Sequence, residues 1–246
     1  MTLSTFDAIA AITEHSAGLA DAARGGLDAP VEHCPGWSVA DLVWHVTDVH
    51  WFWATIAGGP LTQRPAEEAR PPRPADELLV DAFTAQAAAL VHVLRDADQS
   101  APAWTWAPWQ SDVAFITRHQ VQEAAVHHFD AANALGLGWT CDPAVAADAV
   151  DEFLHFSLAS EDDEDDPPAG ALDGPLSFRA TDTGDAWTIS DSARPGACHV
   201  ERGTTDGPTV EAPAADLLLW LYARTDLTHD VPDDLVARFR SHCFTD

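Results

Sequence analysis

Apolar residues recur at helical spacing through the first 160 positions of the chain and at strand spacing only after residue 170. Residues 5 to 24 carry Phe6, Ile9, Ala10, Ile12 and Leu19 on a helical period and stop at Gly25-Gly26, which predicts a first helix. His15 reads there as an ordinary polar position. The second helix marks both of its ends: Pro35-Gly36 makes a turn, Ser38 and Asp41 have capping-box spacing, and Gly58-Gly59 closes a helix of about residues 39 to 57. Its inner face is Leu42, Val46, Val49, Trp53 and Ile56, with His45 on the flank of that face and His50 farther round. A third helix, about Ala75 to Asp96, turns Leu78, Leu79, Phe83, Leu90 and Leu94 inward. A fourth runs from Ser111 to Leu135 before Gly136, and Asp142-Pro143 opens a fifth that reaches about Ser160. Between the second and third lies a loop, residues 60 to 74, with five prolines and Arg64, Arg70 and Arg73, which reads as a solvated connector, the alternative being a segment that contacts an anion such as a substrate carboxylate. Between the third and fourth lies AWTWAPWQ, residues 103 to 110, three tryptophans placed to wall a pocket.

Past residue 170 the period becomes two. LSFRATD and DAWTISD alternate about Asp182, Thr183 and Gly184 as a hairpin, and ACHVERG and PTVEA add two short strands. Helices return at Pro213 to Arg224 and at Pro232 to His242. The expected fold class is therefore mixed, α followed by α+β: an antiparallel four-helix bundle over residues 1 to 160, then a small α+β domain over 172 to 246. The acidic run EDDEDDPP, residues 161 to 168, is the solvated linker between them.

The fourth helix carries the chemistry. In RHQVQEAAVHHFD, residues 118 to 130, His119, Glu123 and His127 stand at steps of four and share one face, with Ile116, Gln120, Asp130 and Ala134 on the same stripe. Much of the rest of the helix is Ala, Val and Phe, so it is buried nearly all round, and no Arg within the stretch lies on that stripe. Buried charge needs a partner or a metal. His45, from a helix that an antiparallel bundle brings face to face with this one, completes a set of two histidines and one carboxylate, which holds a divalent ion and leaves positions open. Such a set suits Zn first, with Ni, Fe or Mn as alternatives. Asp48, on the flank of His45, is placed to orient an imidazole.

Charge then narrows the partners. Forty acids against twelve bases, all arginine, give a net charge of −28, which repels phosphate backbones and anionic lipid. Nucleic acid and membranes are excluded as expected partners, and no apolar run approaches the ~20 residues that span a bilayer. The acidic, amphipathic N-terminus lacks the pattern of a secretory signal, so a cytoplasmic protein is expected. Cys34, Cys141, Cys198 and Cys243 are widely spaced, with no CxxC, and read as free thiols of a reducing compartment.

CPGWSVADLVWHV, followed 78 residues after its histidine by E-x-x-x-H-x-x-D (Glu123, His127, Asp130), resembles the mycothiol-dependent maleylpyruvate isomerase family. ATDTGDAWTI and ADLLLWLYAR resemble its C-terminal domain. The resemblance implies a DinB-like bundle followed by a sterol-carrier-like α+β module; separately, the Ala- and Asp-rich, lysine-free usage resembles that of a GC-rich genome, actinobacterial or halophilic. It implies His45, Glu123 and His127 as metal ligands, Arg224 as a residue of the active site, and mycothiol as co-substrate. Departures are Gln122 where relatives often have His, His128 where Arg is common, and Trp51 where many have Arg. His119 stands as a candidate fourth ligand, and Cys34 reads as a small loop residue, the alternative being a thiol near the pocket mouth.

The expectation that follows is a metal-dependent enzyme using a small thiol, mycothiol, to isomerise or to transfer onto a small electrophilic, carboxylate-bearing substrate. Its rivals are a non-catalytic metal-dependent binding or sensor protein, and a bundle in which the metal only stabilises the fold.

Overall fold

The computed structural model describes residues 2–107, 109–158, 170–194 and 196–243. The acidic run at 161 to 168 lies outside these residues. The chain forms two compact units, Leu3–Cys141 and the segment from Asp142 onward, in the mixed α and α+β class expected.

The first unit is a bundle of four helices: α1 (Thr5–Ala23), α2 (Val39–Gly58), α3 (Asp76–Asp96) and α4 (Val113–Ala134). Three of them start at a capping side chain. Ser4 and Asp112 accept from backbone N–H groups of α1 and α4, and Ser38 with Asp41 forms the full reciprocal capping box of α2. Contacts along the helices give their directions. His15 of α1 lies by His128 of α4, and Gly25, just past the end of α1, by Leu135, just past the end of α4, so α1 and α4 run the same way. His50 and Gly58 of α2 lie by Phe83 and Val93 of α3, so that pair is also parallel. Across the pairs, His45 meets Glu123 and His127 while Trp53 meets His119, so α2 and α4 run in opposite senses, as the site requires.

This arrangement explains the long Pro-rich loop. Two consecutive helices can be parallel only if the connection travels back along the first, and residues 59 to 75 do so. Arg73 reaches Asp41, Arg70 reaches Asp48, and Arg64 lies over Phe52, in reverse order along α2.

The core is built from Leu19, Val39, Leu42, Val43, Val46, Leu79 and Phe83, all fully or almost fully buried. Three expected inward positions are exposed, Ala10, Leu78 and Phe6, and Val49 is half-buried. Leu78 is 60% exposed and Phe6 is 80% exposed; each sits in the first turn of its helix, and Leu79 and Ile9 take the inward places. Among the described residues, α3 is the one helix long and apolar enough to cross a membrane by length and composition, with a mean hydropathy of 1.4 over its best window. That is more apolar than expected from the sequence, and here Leu79, Phe83, Leu90 and Leu94 are packed inside the bundle.

In the second unit α5 (Pro143–Phe156) precedes a four-stranded sheet, β1 (Leu176–Ala180), β2 (Ala186–Asp191), β3 (Cys198–Arg202) and β4 (Thr209–Ala212), and two helices, α6 (Ala214–Leu221) and α7 (Asp233–His242). The order is β3-β2-β1-β4, antiparallel except for the parallel β1/β4 pair. The hairpin at Gly184 is as expected, with that glycine at φ 78°. The boundary between units, expected near 160 to 172, lies instead at Cys141/Asp142. The reason is polar as well as apolar: Asp151 of α5 accepts from the Trp187 indole N–H at 2.7 Å and pairs with Arg202 at 2.7 Å, while Phe153 meets Tyr222 edge-on. α6 also stops three residues before the expected Arg224, because Ala223 adopts φ 56°, which an α-helix does not accommodate.

His15 is no ordinary polar position. It is buried, its Nδ1 is 3.1 Å from Nδ1 of His128, and burial lowers the pKa of both rings to about 4, so one N–H is shared between two neutral imidazoles. Gly18, one turn along, makes room for His128: a Cβ there would fall 2.2 Å from the ring. Gly18→Ala is expected to destabilise the protein by about 1–3 kcal/mol despite the better helix propensity of alanine. The same substitution in a His128→Ala background is expected to be neutral or stabilising. Urea midpoints of the four proteins check this, and additivity of the two changes would refute the clash.

Candidate metal centre

The stripe on α4 predicted from sequence is present, and its burial is extensive: Gln120 and Asp130 are 0 and 1% exposed. Each turn of α4 brings one polar group to the face opposed to α2. His45 comes from α2 between Trp37, whose ring lies 5.0 Å away, and His127, whose ring meets it edge-on at 5.2 Å.

Glu123 joins the two imidazoles. Its Oε1 is 3.3 Å from Nε2 of His45 and 3.4 Å from Nε2 of His127, and the three donor atoms lie within 4.8 Å of one another. Two ligands held ~2.1 Å from one ion at a tetrahedral angle stand roughly 3.4 Å apart, so the spacing already suits a shared cation. On the other side of the His127 ring, Nδ1 is 3.0 Å from Oδ2 of the buried Asp130. A proton on Nδ1 then points at a carboxylate, and the Nε2 lone pair is free to face Glu123 and His45, the tautomer that a metal needs.

The electrostatics of the bare site agree. Burial alone would lower the His127 pKa, but Glu123 and Asp130 outweigh it and raise the value to about 9. Burial alone would raise that of Glu123, yet His127 and His45 hold its carboxyl well below the usual range. The site is thus an anionic centre that draws positive charge, and in the bare protein that charge is a proton.

A second cluster shares His127. Cys34, half-buried in the CPGW turn, puts its Sγ 3.9 Å from Oδ2 of Asp130, and Cys34, His127 and Asp130 also come within 4.8 Å of one another. Because Asp130 already binds Nδ1 of His127, the first set leaves every group with a partner, and Cys34 then lies behind the ligands rather than among them.

Of the other candidates, Asp48 stays on the α2 face of His45 and pairs with Arg70 at 3.1 Å; burial raises its pKa. His119 is no fourth member of the cluster. It is turned toward the aromatic segment, stacked on Phe115 and edge-on to Trp53 and Trp106, with Nδ1 3.3 Å from Gln122 Nε2. Of the three-tryptophan segment, Trp104 and Trp106 pack on Phe52 and Trp53 of α2. His50, ranked low from sequence, is fully buried against Phe83, and burial brings its pKa down to about 4. Its inward turn follows from α2 packing on both α3 and α4, which buries a wider arc than a single heptad stripe. Arg224 belongs to the second unit, where its side chain donates to the Tyr222 carbonyl at 2.8 Å.

The mycothiol maleylpyruvate isomerase N-terminal domain pattern matches residues 7–132, which holds α2 and α3 whole, all but two residues of α1 and of α4, and all three cluster residues. The chain belongs to that family. Among solved structures, the mycothiol-dependent maleylpyruvate isomerase is similar to it at a TM-score of 0.62 and 13% identity, with 92% of each chain covered. A histidine-to-alanine mutant of the same enzyme is similar at 0.60 and 13%, covering 89% of this chain and 90% of that one. At such identity the likeness shows the fold alone. No curated protein matches the chain. For this member of the family, then, the fold is shared with a solved structure, and the chemistry rests on its own residues.

The Asp130 contact gives a direct expectation. Asp130→Asn removes the carboxylate that fixes the His127 ring, and affinity for zinc is expected to fall by about 10- to 100-fold, the usual effect of losing such a partner. Titration against a chelator reads it. An unchanged affinity would mean that Asp130 does not orient His127.

Proposed function

We propose that this protein is a divalent-metal-dependent enzyme that uses a low-molecular-weight thiol, mycothiol, in isomerisation or thiol transfer on a small electrophilic, carboxylate-bearing substrate. The convergence of His45, Glu123 and His127 at metal-ligand spacing carries the reading, and membership of the family supplies the thiol. The donor set fits zinc best, with Ni, Fe or Mn as alternatives. A metal bound by three side chains with positions open supplies a place where a thiol binds as thiolate near neutral pH.

The chain's own residues do the rest. Glu123 provides the anionic ligand and offsets the ion's charge in a buried setting. Asp130 keeps the His127 proton on Nδ1. Trp37 packs against the His45 ring on one side of the cluster. Arg224 is assigned, on the family resemblance, to bind a substrate carboxylate, for which a guanidinium fork is suited. Small molecules are the expected partners, and the cytoplasm, where such a thiol stays reduced, is the expected compartment.

Elemental analysis of purified protein tests the centre. About one zinc per chain is expected in the parent and little in His45→Ala or Glu123→Ala. No metal in the parent after zinc is supplied would refute the site. Thiol-dependent consumption of an electrophile then separates an enzyme from a binding or sensor protein. Arg224→Ala is expected to retain its zinc and lose at least about tenfold in kcat/KM, mostly through KM, as removal of a charged substrate contact does. An unchanged kcat/KM would remove Arg224 from the active site.

A further inference from the structure

Where α2 and α4 face each other inside the bundle, several polar groups are buried without a protein partner. His50 is fully buried, and among the described residues neither of its ring nitrogens has a hydrogen-bond partner. The same holds for the Trp53 indole nitrogen and for both amide atoms of Gln120, whose side chains are likewise fully buried. Register brings the three to one level. α2 and α4 run in opposite senses, with His45 facing Glu123 and His127 and with Trp53 facing His119, so His50 comes level with residues 120 to 123. Gln120 stands one turn before Glu123 on the inward stripe of α4.

A buried donor or acceptor without a partner costs free energy, and five such atoms on one level of a bundle would together offset much of a domain's stability. The groups therefore have partners that the chain does not supply. Burial keeps His50 neutral, with a pKa of about 4 against the pull of the nearby Glu123 carboxylate, so its ring offers one donor and one acceptor. Gln120 offers both kinds as well, and Trp53 adds a donor. A cation here would face the N–H groups of Trp53 and Gln120, and an anion would face the Gln120 carbonyl and a His50 lone pair. Water suits both kinds, and at a buried site it makes about three hydrogen bonds. About two molecules suffice for five atoms at that rate.

We propose that His50, Trp53 and Gln120 line an internal water site, and that its waters hold the Glu123 carboxylate in place from the side of the bundle interior. His50 and Gln120 are then positioning residues that act on Glu123 through water. His50 is no ligand itself, since it does not fall among the donor atoms of the cluster that lie within 4.8 Å of one another. The water site stands on the buried atoms alone. Its effect on the metal centre rests on the function proposed above.

A crystal structure of the zinc-loaded protein, at a resolution that shows ordered solvent, tests the site. About two waters are expected within hydrogen-bond distance of His50, Trp53 and Gln120, and a solvent-free interior there overturns the inference. Variants test the coupling to Glu123. His50→Phe, which keeps a ring against Phe83, is expected to weaken zinc binding at least about tenfold, the effect of losing an outer partner of a ligand, and to lower the urea midpoint by stranding Gln120. His50→Gln, which keeps a donor and an acceptor, is expected to restore most of the zinc affinity. Gln120→Leu repeats the loss at the opposite wall, so a His50→Phe protein that fails to fold leaves the test intact. Unchanged zinc affinity in both His50→Phe and Gln120→Leu overturns the inference, as does a higher urea midpoint in His50→Phe, the mark of nitrogens that had no partner at all. A parent that takes up no zinc is a separate failure, of the function proposed above; the waters are then sought in the metal-free crystal, where a solvent-free interior overturns the inference as well.

Discussion

Everything in the first unit answers to one constraint: a carboxylate, Glu123, held with 14% side-chain exposure between two imidazoles. A carboxylate in that position is costly unless opposed by positive charge, and the surrounding helices contribute none that is permanent. His45 and His127 therefore have to arrive from two different helices at nearly the same height. That demand fixes α2 and α4 as an opposed pair and fixes their register, since a shift of one turn along either helix is about 5.4 Å. The burial of Asp130 follows from the same demand, because a ring held on one nitrogen only would swing.

The second constraint is topological. With α1 parallel to α4 and α2 parallel to α3, the bundle cannot be closed by short turns alone, and the chain has to travel back the length of α2. The return passes over the line of residues that holds His45. Three arginines in a chain so acidic are drawn to that line, two by carboxylates and one by aromatic rings. Packing of the bundle and composition of the loop are thus separate matters: the first is set by Leu42, Val46, Leu79 and Phe83 inside, the second by what lies along the outer edge of α2.

Much of this was legible in the sequence, and for physical reasons. Steps of four on α4, the capping box at Ser38 and the glycines that end α2 are local signals, so the helices and the cluster residues could be read directly. Alternation in LSFRATD and DAWTISD was equally local. What failed was non-local. Loop length did not reveal that α2 and α3 are parallel, because an Arg- and Pro-rich segment reads as solvated whether it crosses a bundle or merely leaves it. His50 and His15 were placed outside the core since the faces they occupy are buried only by second partners, Phe83 and His128. His119 shared the helical face of Glu123, yet the rings of Trp53, Trp106 and Phe115 claimed it first.

The most misleading signal was the acidic run, which looks like the natural seam of the chain although the seam lies before α5. The consequence is one of ancestry and exchange. A C-terminal module cut at the first strand would travel without Asp151, leaving the Trp187 indole with no acceptor in a core where water does not reach and depriving Arg202 of its closest carboxylate. The piece that keeps these partners together starts with a helix at Asp142.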